Sequence, residues 1–290
     1  MRAKLIQALV LLMSRLPLSV SRAFGALTGW CCKLGSSRGY KVTLKNLEIA
    51  FPNLSLENRK KLAHESLCQS AQMLFETPAV WFRDDAWRQR KTLSVTNEET
   101  YLAARDAGRG VLLLVPHFGN WEMIGLHVGS FMKTTAMYAP PKIVELDSVM
   151  RSGRFVADMV PANVKGVASV MKALKRGEMT FILPDQSPAD GGGIFAPFYG
   201  RPVYTMTLIQ KLVKKTNPVV LIAYAIRRRG GFDLGYMEPD PEIYDENDET
   251  AAVALNRSIE HLIEKAPSQY QWEYKRYRKR PGGKSPYVGC

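Results

Sequence analysis

Cysteine is scarce in this chain. The four in 290 residues are Cys31, Cys32, Cys68 and Cys290, and none forms a C-x-x-C pair. Neither a disulfide framework nor a zinc site is therefore expected, and a reducing compartment fits. No H-E-x-x-H is present, and the G-G-G run at 191–193 does not follow a P-loop pattern, which argues against nucleotide binding. Acid is also in deficit. Asp and Glu number 27 against 40 Lys and Arg, a formal charge of +13. That excess points to an anionic partner: nucleic acid, a negatively charged membrane face or an acidic protein. Internal repeats and low-complexity tracts are absent. What remains is a 46% apolar chain long enough for one large α/β domain or two small ones. Its core needs no cross-links.

No uninterrupted apolar run reaches the roughly 20 residues that a simple spanning helix requires. The nearest is L-I-Q-A-L-V-L-L-M at 5–13, flanked by Arg2, Lys4 and Arg15; apolar character resumes at 16–18 and 24–34. A signal peptide fits the basic start and short apolar core, but a small-residue cleavage site is lacking. An uncleaved anchor that lies in the interface or dips partly across it is the expectation for residues 1–35. A buried N-terminal helix pair is the plain alternative.

Apolar spacing predicts a helix over 40–50, ended by Phe51-Pro52, and a second one capped by Ser55. From Thr92 the texture changes. Strands are expected at 93–96, 111–115, 135–138, 180–183, 219–226 and 232–237. Helices are expected at 98–107, 121–132, 144–154, 167–176, 204–215 and 250–266. Such alternation predicts an α/β fold over 36–290, with a mixed, mostly parallel central sheet flanked by helices and preceded by the N-terminal anchor. Reactive groups in such sheets gather where strands end.

The clearest strand end is V-L-L-L-V-P-H-F-G-N-W-E at 111–122. A buried strand delivers His117, turns through Gly119 and enters a helix that Asn120 can cap. Five residues separate His117 from Glu122, about 140° apart on a continuous helix, but across a strand end and glycine turn the two side chains can meet. A carboxylate on one imidazole nitrogen leaves the other free to take a proton, as in general-base catalysis. Neither Ser nor Cys lies in the segment, so the attacking hydroxyl is expected from a substrate. The plain alternative is a helix-capping or structural histidine. A metal site of His117, Glu122 and His127 is disfavoured by its spacing.

Several blocks accompany this motif in order. They are N-L-E-I-A-F-P at 46–52, H-F-G-N-W-E at 117–122, Y-A-P-P at 138–141, M-R-S-G-R at 150–154 and K-A-L-K-R-G-E at 172–178. L-P-D-Q at 183–186, G-I-F-A-P-F-Y-G at 193–200 and Q-Y-Q-W-E-Y-K-R-Y-R-K-R-P at 269–281 complete the set. Together they resemble the late acyltransferases of lipid A biosynthesis, the lauroyl and myristoyl transferases of Gram-negative bacteria. The resemblance implies acyl transfer from acyl carrier protein to a hydroxyl of a lipid A precursor. It places the catalytic domain at the cytoplasmic face of the inner membrane, with no metal or organic cofactor. The family's histidine and acid carry over onto His117 and Glu122 as a catalytic dyad, and its arginine and strand-end aspartate match Arg154 and Asp185. Gln186 stands where some relatives carry His, leaving that position's role open.

Asn120, Arg154, Asp185 and Arg201 are the expected substrate-binding residues, Arg154 and Arg201 as candidate phosphate clamps. The aromatics Phe195, Phe198 and Tyr199 could wall an acyl chain, or belong to a plain hairpin. The basic runs at 227–229 and 275–280 suit an anionic membrane and an acidic carrier protein as well as they suit nucleic acid, which is not an expected partner. An acyltransferase for another glycerolipid or glycolipid, a thioesterase, and a non-catalytic basic protein binding membranes or nucleic acid are the competing classes.

Overall fold

The computed structural model describes residues 2–35, 37–154 and 156–290. Helix α1 (Arg2–Arg15) and α2 (Leu18–Leu34) meet at a 116° bend at Pro17. Among the described residues no single helix is long and apolar enough to cross a membrane. Helix α2 packs on the 27-residue α4 (Leu56–Phe82) through Gly25 and Gly29. A Cβ on either would lie 2.5 Å from the Cα of Gln72 or Cys68, so only glycine permits the approach. The outward faces are apolar: Leu5, Leu9 and Leu12 on α1, and Phe24, Leu27, Trp30 and Leu34 on α2, stand exposed at helical spacing. Arg83 holds the end of α1, donating to the carbonyls of Ser14 at 2.7 Å and Arg15 at 2.6 Å.

Helix α3 (Arg38–Ala50) precedes α4, and α5 (Asp85–Lys91) and α6 (Glu98–Asp106) lead into a seven-stranded sheet. Its strands are β1 (Thr92–Thr96), β2 (Val111–Leu114), β3 (Thr134–Tyr138), β4 (Ala157–Pro161), β5 (Met179–Ile182), β8 (Val219–Arg228) and β9 (Gly231–Met237), in the order β1-β9-β8-β2-β5-β3-β4. Every neighbouring pair is parallel except β8 with β9, so the sheet is mixed and mostly parallel, in line with the sequence expectation. Strand β2 lies between β5 and β8, and its four apolar residues are fully buried, as a central parallel strand requires. Period-two alternation divides them. Leu112 and Leu114 join a core with α9 (Val164–Lys175), α10 (Leu208–Thr216) and α11 (Asp248–Glu264). Val111 and Leu113 join the opposite core, with α6, α7 (Trp121–Gly129) and the end of α4.

Some boundaries differ from expectation. Residues 201–206 are not helical: they form β7 (Arg201–Met206), paired antiparallel with β6 (Gly193–Phe198) about a turn of Tyr199 and Gly200, both at positive φ. Cross-strand pairing thus overrides helical spacing, and the helix begins at Leu208. The stretch 144–154 divides into a 3-10 turn (Val144–Leu146) and α8 (Asp147–Gly153). Edge strand β4 and helix α5 have no counterpart in the sequence expectations, because β4 is only half buried and α5 spans just seven residues.

Candidate active site

The chain leaves β2 through Val115 and Pro116 and presents His117 at the carboxyl end of the sheet. Gly119 then turns at φ +59°, where a Cβ would come within 2.0 Å of the Ala225 carbonyl oxygen. This crowding against β8 makes glycine obligatory. The Gly119 N–H donates to the Gln269 carbonyl at 2.9 Å, and the Asn120 N–H to the Ala225 carbonyl at 2.8 Å. From the C-terminal segment, the Gln271 N–H donates to the His117 carbonyl at 3.0 Å. The histidine loop is therefore pinned from both sides.

The His117 ring meets Asp185, which follows β5 and is 2% exposed. Nδ1 lies 2.9 Å from Asp185 Oδ1, while the His117 backbone N–H donates to Oδ2 at 3.0 Å. Burial alone would raise the Asp185 carboxyl. The hydrogen bonds from the His117 ring and backbone, with the ring's charge whenever it is protonated, outweigh that and hold the carboxyl below its ordinary value. With Nδ1–H committed to this carboxylate, Nε2 carries the lone pair. Its neighbour is the Gln186 carboxamide, whose Nε2 stands 3.3 Å away and also donates to Gln271 Oε1 at 3.1 Å. Trp121 packs edge-on against the imidazole, with ring centroids 5.0 Å apart.

Glu122 is not the partner of that imidazole. It lies in the first turn of α7, where the helix dipole favours a carboxylate. Its side chain runs toward α4 and α8, and no hydrogen bond joins it to His117. Arg154 grips it with two donors, Nε to Oε2 at 3.0 Å and Nη2 to Oε1, and Trp81 Nε1 donates to Oε2 at 2.9 Å. Burial pulls the Arg154 guanidinium down, but its bonds and charge pairing with Glu122 keep it above its usual value. Gly153 is what admits Trp81 here, since a Cβ there would sit 2.5 Å from the indole ring. The Arg154 Nη1 atom makes no hydrogen bond among the described residues. The expected orienting bond from Glu122 is thus corrected: the carboxylate on Nδ1 is Asp185, and Glu122 holds Arg154 instead.

Asn120, one of the expected substrate-binding residues, is fully buried and held by protein partners. Its Oδ1 caps α7 by accepting from the Met123 N–H at 3.0 Å, and its Nδ2 donates to Glu76 Oε2 at 3.0 Å. Glu76 is itself wholly buried and pairs with Arg22 of α2 and Arg227 of β8, the latter at 2.9 Å. One carboxylate thereby links the N-terminal helices, the sheet and the cap of the helix behind His117. Arg201 is exposed at the start of β7 and lines a separate groove with Lys45, Tyr199 and Arg280. Among the described residues, no group of three or more His, Cys, Asp and Glu could hold a metal ion.

Sequence reasoning did not reach Glu76, Trp81 or Gln271. Trp81 and Glu76 sit on α4, whose letters carry no local signal of a site. Gln271 lies within the C-terminal Q-Y-Q-W-E block, so order in the resemblance was the only pointer to it. Comparison with known proteins adds to this geometry. Residues 3–279 match the profile of the bacterial lipid A biosynthesis acyltransferases. The chain is 30% identical over 274 residues to the lipid A biosynthesis palmitoleoyltransferase of Escherichia coli K12, covering 93% of this chain and 89% of that protein. It is 26% identical over 275 residues to the lauroyltransferase of the same organism, covering 94% and 90%. A lipid A biosynthesis acyltransferase of Haemophilus influenzae is 27% identical over 279 residues, covering 93% and 88%. With a matched family profile spanning nearly its whole length, the chain belongs to the bacterial lipid A biosynthesis acyltransferase family.

Proposed function

We propose that the protein transfers a fatty acyl chain from acyl carrier protein to a hydroxyl of a lipid A precursor, with His117 as general base. The observation that carries this is the imidazole itself, bonded at Nδ1 to buried Asp185 with its Nε2 turned to the Gln186 carboxamide. An arriving acceptor hydroxyl displaces Gln186 and gives its proton to Nε2. Its oxygen bonds to the thioester carbonyl carbon, and charge develops on the carbonyl oxygen. The tetrahedral intermediate then breaks its C–S bond, and Nε2 returns the proton to the departing thiolate of the carrier. The clamped Arg154 offers Nη1 to that developing charge or to a phosphate of the acceptor. Glu122 acts with His117 through this clamp, and Arg201 supplies positive charge to acceptor phosphate from its separate groove.

The apolar outward faces of α1 and α2 support attachment to the bacterial inner membrane from the cytoplasmic side, with the net charge of +13 favouring anionic lipid. Such attachment brings a lipid acceptor to the carboxyl end of the sheet while the carrier protein approaches from water. The test is an assay of the full-length protein in detergent with isotopically labelled acyl-carrier-protein thioester. A lipid A precursor and a lysophospholipid compete as acceptors, and mass spectrometry reads the products. Label on the lipid A precursor is the expected result. Label on the lysophospholipid alone, or only as free fatty acid at full rate, overturns the assignment.

A further inference from the structure

Helix α7 contains two glycines, Gly125 and Gly129, and packing explains only the second. Gly129 lies at the helix end, where a Cβ would be 2.5 Å from the Val156 side chain, and Gly119 precedes the helix at its obligatory turn. Gly125 sits in the interior, where glycine is the costliest residue but proline for a helix. No heavy atom lies within 4 Å of the Cβ position at Gly125. Neither a close approach nor a positive φ calls for glycine there. The absent side chain leaves open space instead.

That space is a cavity of about 120 Å³ walled by Val115, Trp121, Leu126, Met137, Phe181 and Leu183, with Gly125 in its lining. It adjoins the candidate active site in three ways. Val115 and Leu183 each lie two residues before His117 and Asp185, on the same strand extensions. Trp121 is common to both, packing its ring against the His117 imidazole. Glu122 and Arg154 also line the cavity, but each charge is paired with the other, so the remaining wall is apolar. An apolar cavity of roughly 150 Å³ accommodates a benzene-sized hydrocarbon. The space beside Gly125 is therefore suited to the last few carbons of an alkyl chain, and unsuited to a sugar or a phosphate.

We propose that this cavity receives the methyl end of the transferred acyl chain and that Gly125 sets the chain length the enzyme accepts. The inference rests on the acyl-transfer function proposed above. A side chain at 125 would fill the open space without striking the backbone and would leave His117, Asp185 and their hydrogen bonds in place. It would also raise helix propensity, so the fold is retained.

The experiment compares wild type, Gly125→Ala and Gly125→Leu as full-length proteins. Equimolar acyl-carrier-protein thioesters of eight to sixteen carbons compete for transfer to a lipid A precursor, and mass spectrometry reads the products. Gly125→Leu is expected to shift the favoured chain shorter by about two to four carbons. The longest chain should lose about tenfold or more relative to the shortest, the scale set by excluding methylenes from an apolar pocket. Gly125→Ala should shift it less, and the melting temperatures of both variants should match or exceed wild type. An unchanged length profile in Gly125→Leu overturns this inference alone, and so does equal loss across all lengths. Absence of acyl transfer by the wild type from every donor overturns the proposed function, and the chain-length role with it.

Discussion

His117 takes its orientation from a residue 68 positions away. Asp185 holds both the ring and the backbone N–H of that histidine, so it fixes orientation and tautomer together. Asp185→Asn keeps the shape but can present an amide donor to Nδ1, favouring the tautomer whose lone pair faces the wrong way. Turnover of acyl-carrier-protein thioester is expected to fall about 10²-fold or more, with little change in acceptor KM. The same substitution has a stability signature. The folded carboxyl lies below its ordinary value of 3.8, so its contribution is present above that pH and fades as pH falls through the lowered value. Urea unfolding of wild type and Asp185→Asn at pH 6 and pH 3 should show a wild-type advantage that shrinks on acidification; an undiminished gap counts against the pairing. The histidine was legible in the sequence because a buried strand, a glycine turn and a helix cap surround it in twelve consecutive residues. Its carboxylate was not legible in the same way. Spacing alone favoured Glu122, whereas pairing of β2 with β5 decides which acid reaches the ring.

Elements show the same division between local and long-range information. The strands of the mostly parallel sheet and the helices between them follow from runs of apolar residues, since burial on both faces leaves little ambiguity. The β6–β7 hairpin was read partly as helix because its letters satisfy helical spacing while its stability comes from a partner strand. Glycine marks the positions where elements touch most closely. In α2, Gly25 and Gly29 lie one turn apart against α4, and their fit is set by backbone contact rather than by hydrophobic side chains. Gly25→Leu is expected to prise α2 from α4 at a cost of about 1–3 kcal/mol, the range for overpacked contacts. It should also strain the Arg22–Glu76 pair that anchors α2 to the sheet. Hydrogen exchange of α2 amides should accelerate in the variant while strands β2 and β5 stay protected. Unaltered exchange in α2 would mean that the glycine contacts do not hold it.

At the scale of the whole molecule, the N-terminal helices, the sheet and the helix that follows the His117 loop meet at one buried carboxylate. Glu76 joins them mechanically, through Arg22 on α2, Arg227 on β8 and Asn120 at the head of α7. Removing a partner from so buried a charge cluster leaves uncompensated charge, so its members are tied to folding as well as to the site. Overall charge and the broken apolar N-terminus could be read directly from composition, but neither distinguishes a membrane from nucleic acid. Only the ordered motif blocks and the family match make lipid the relevant partner. The decisive measurement is the initial rate at which full-length wild type and His117→Ala transfer acyl chains from acyl carrier protein to a lipid A precursor held in anionic vesicles. Wild type should label the precursor, and His117→Ala, folded to the same melting temperature, should do so about 10²-fold more slowly or worse. Equal rates for the two proteins would contradict the assignment of this imidazole as the base.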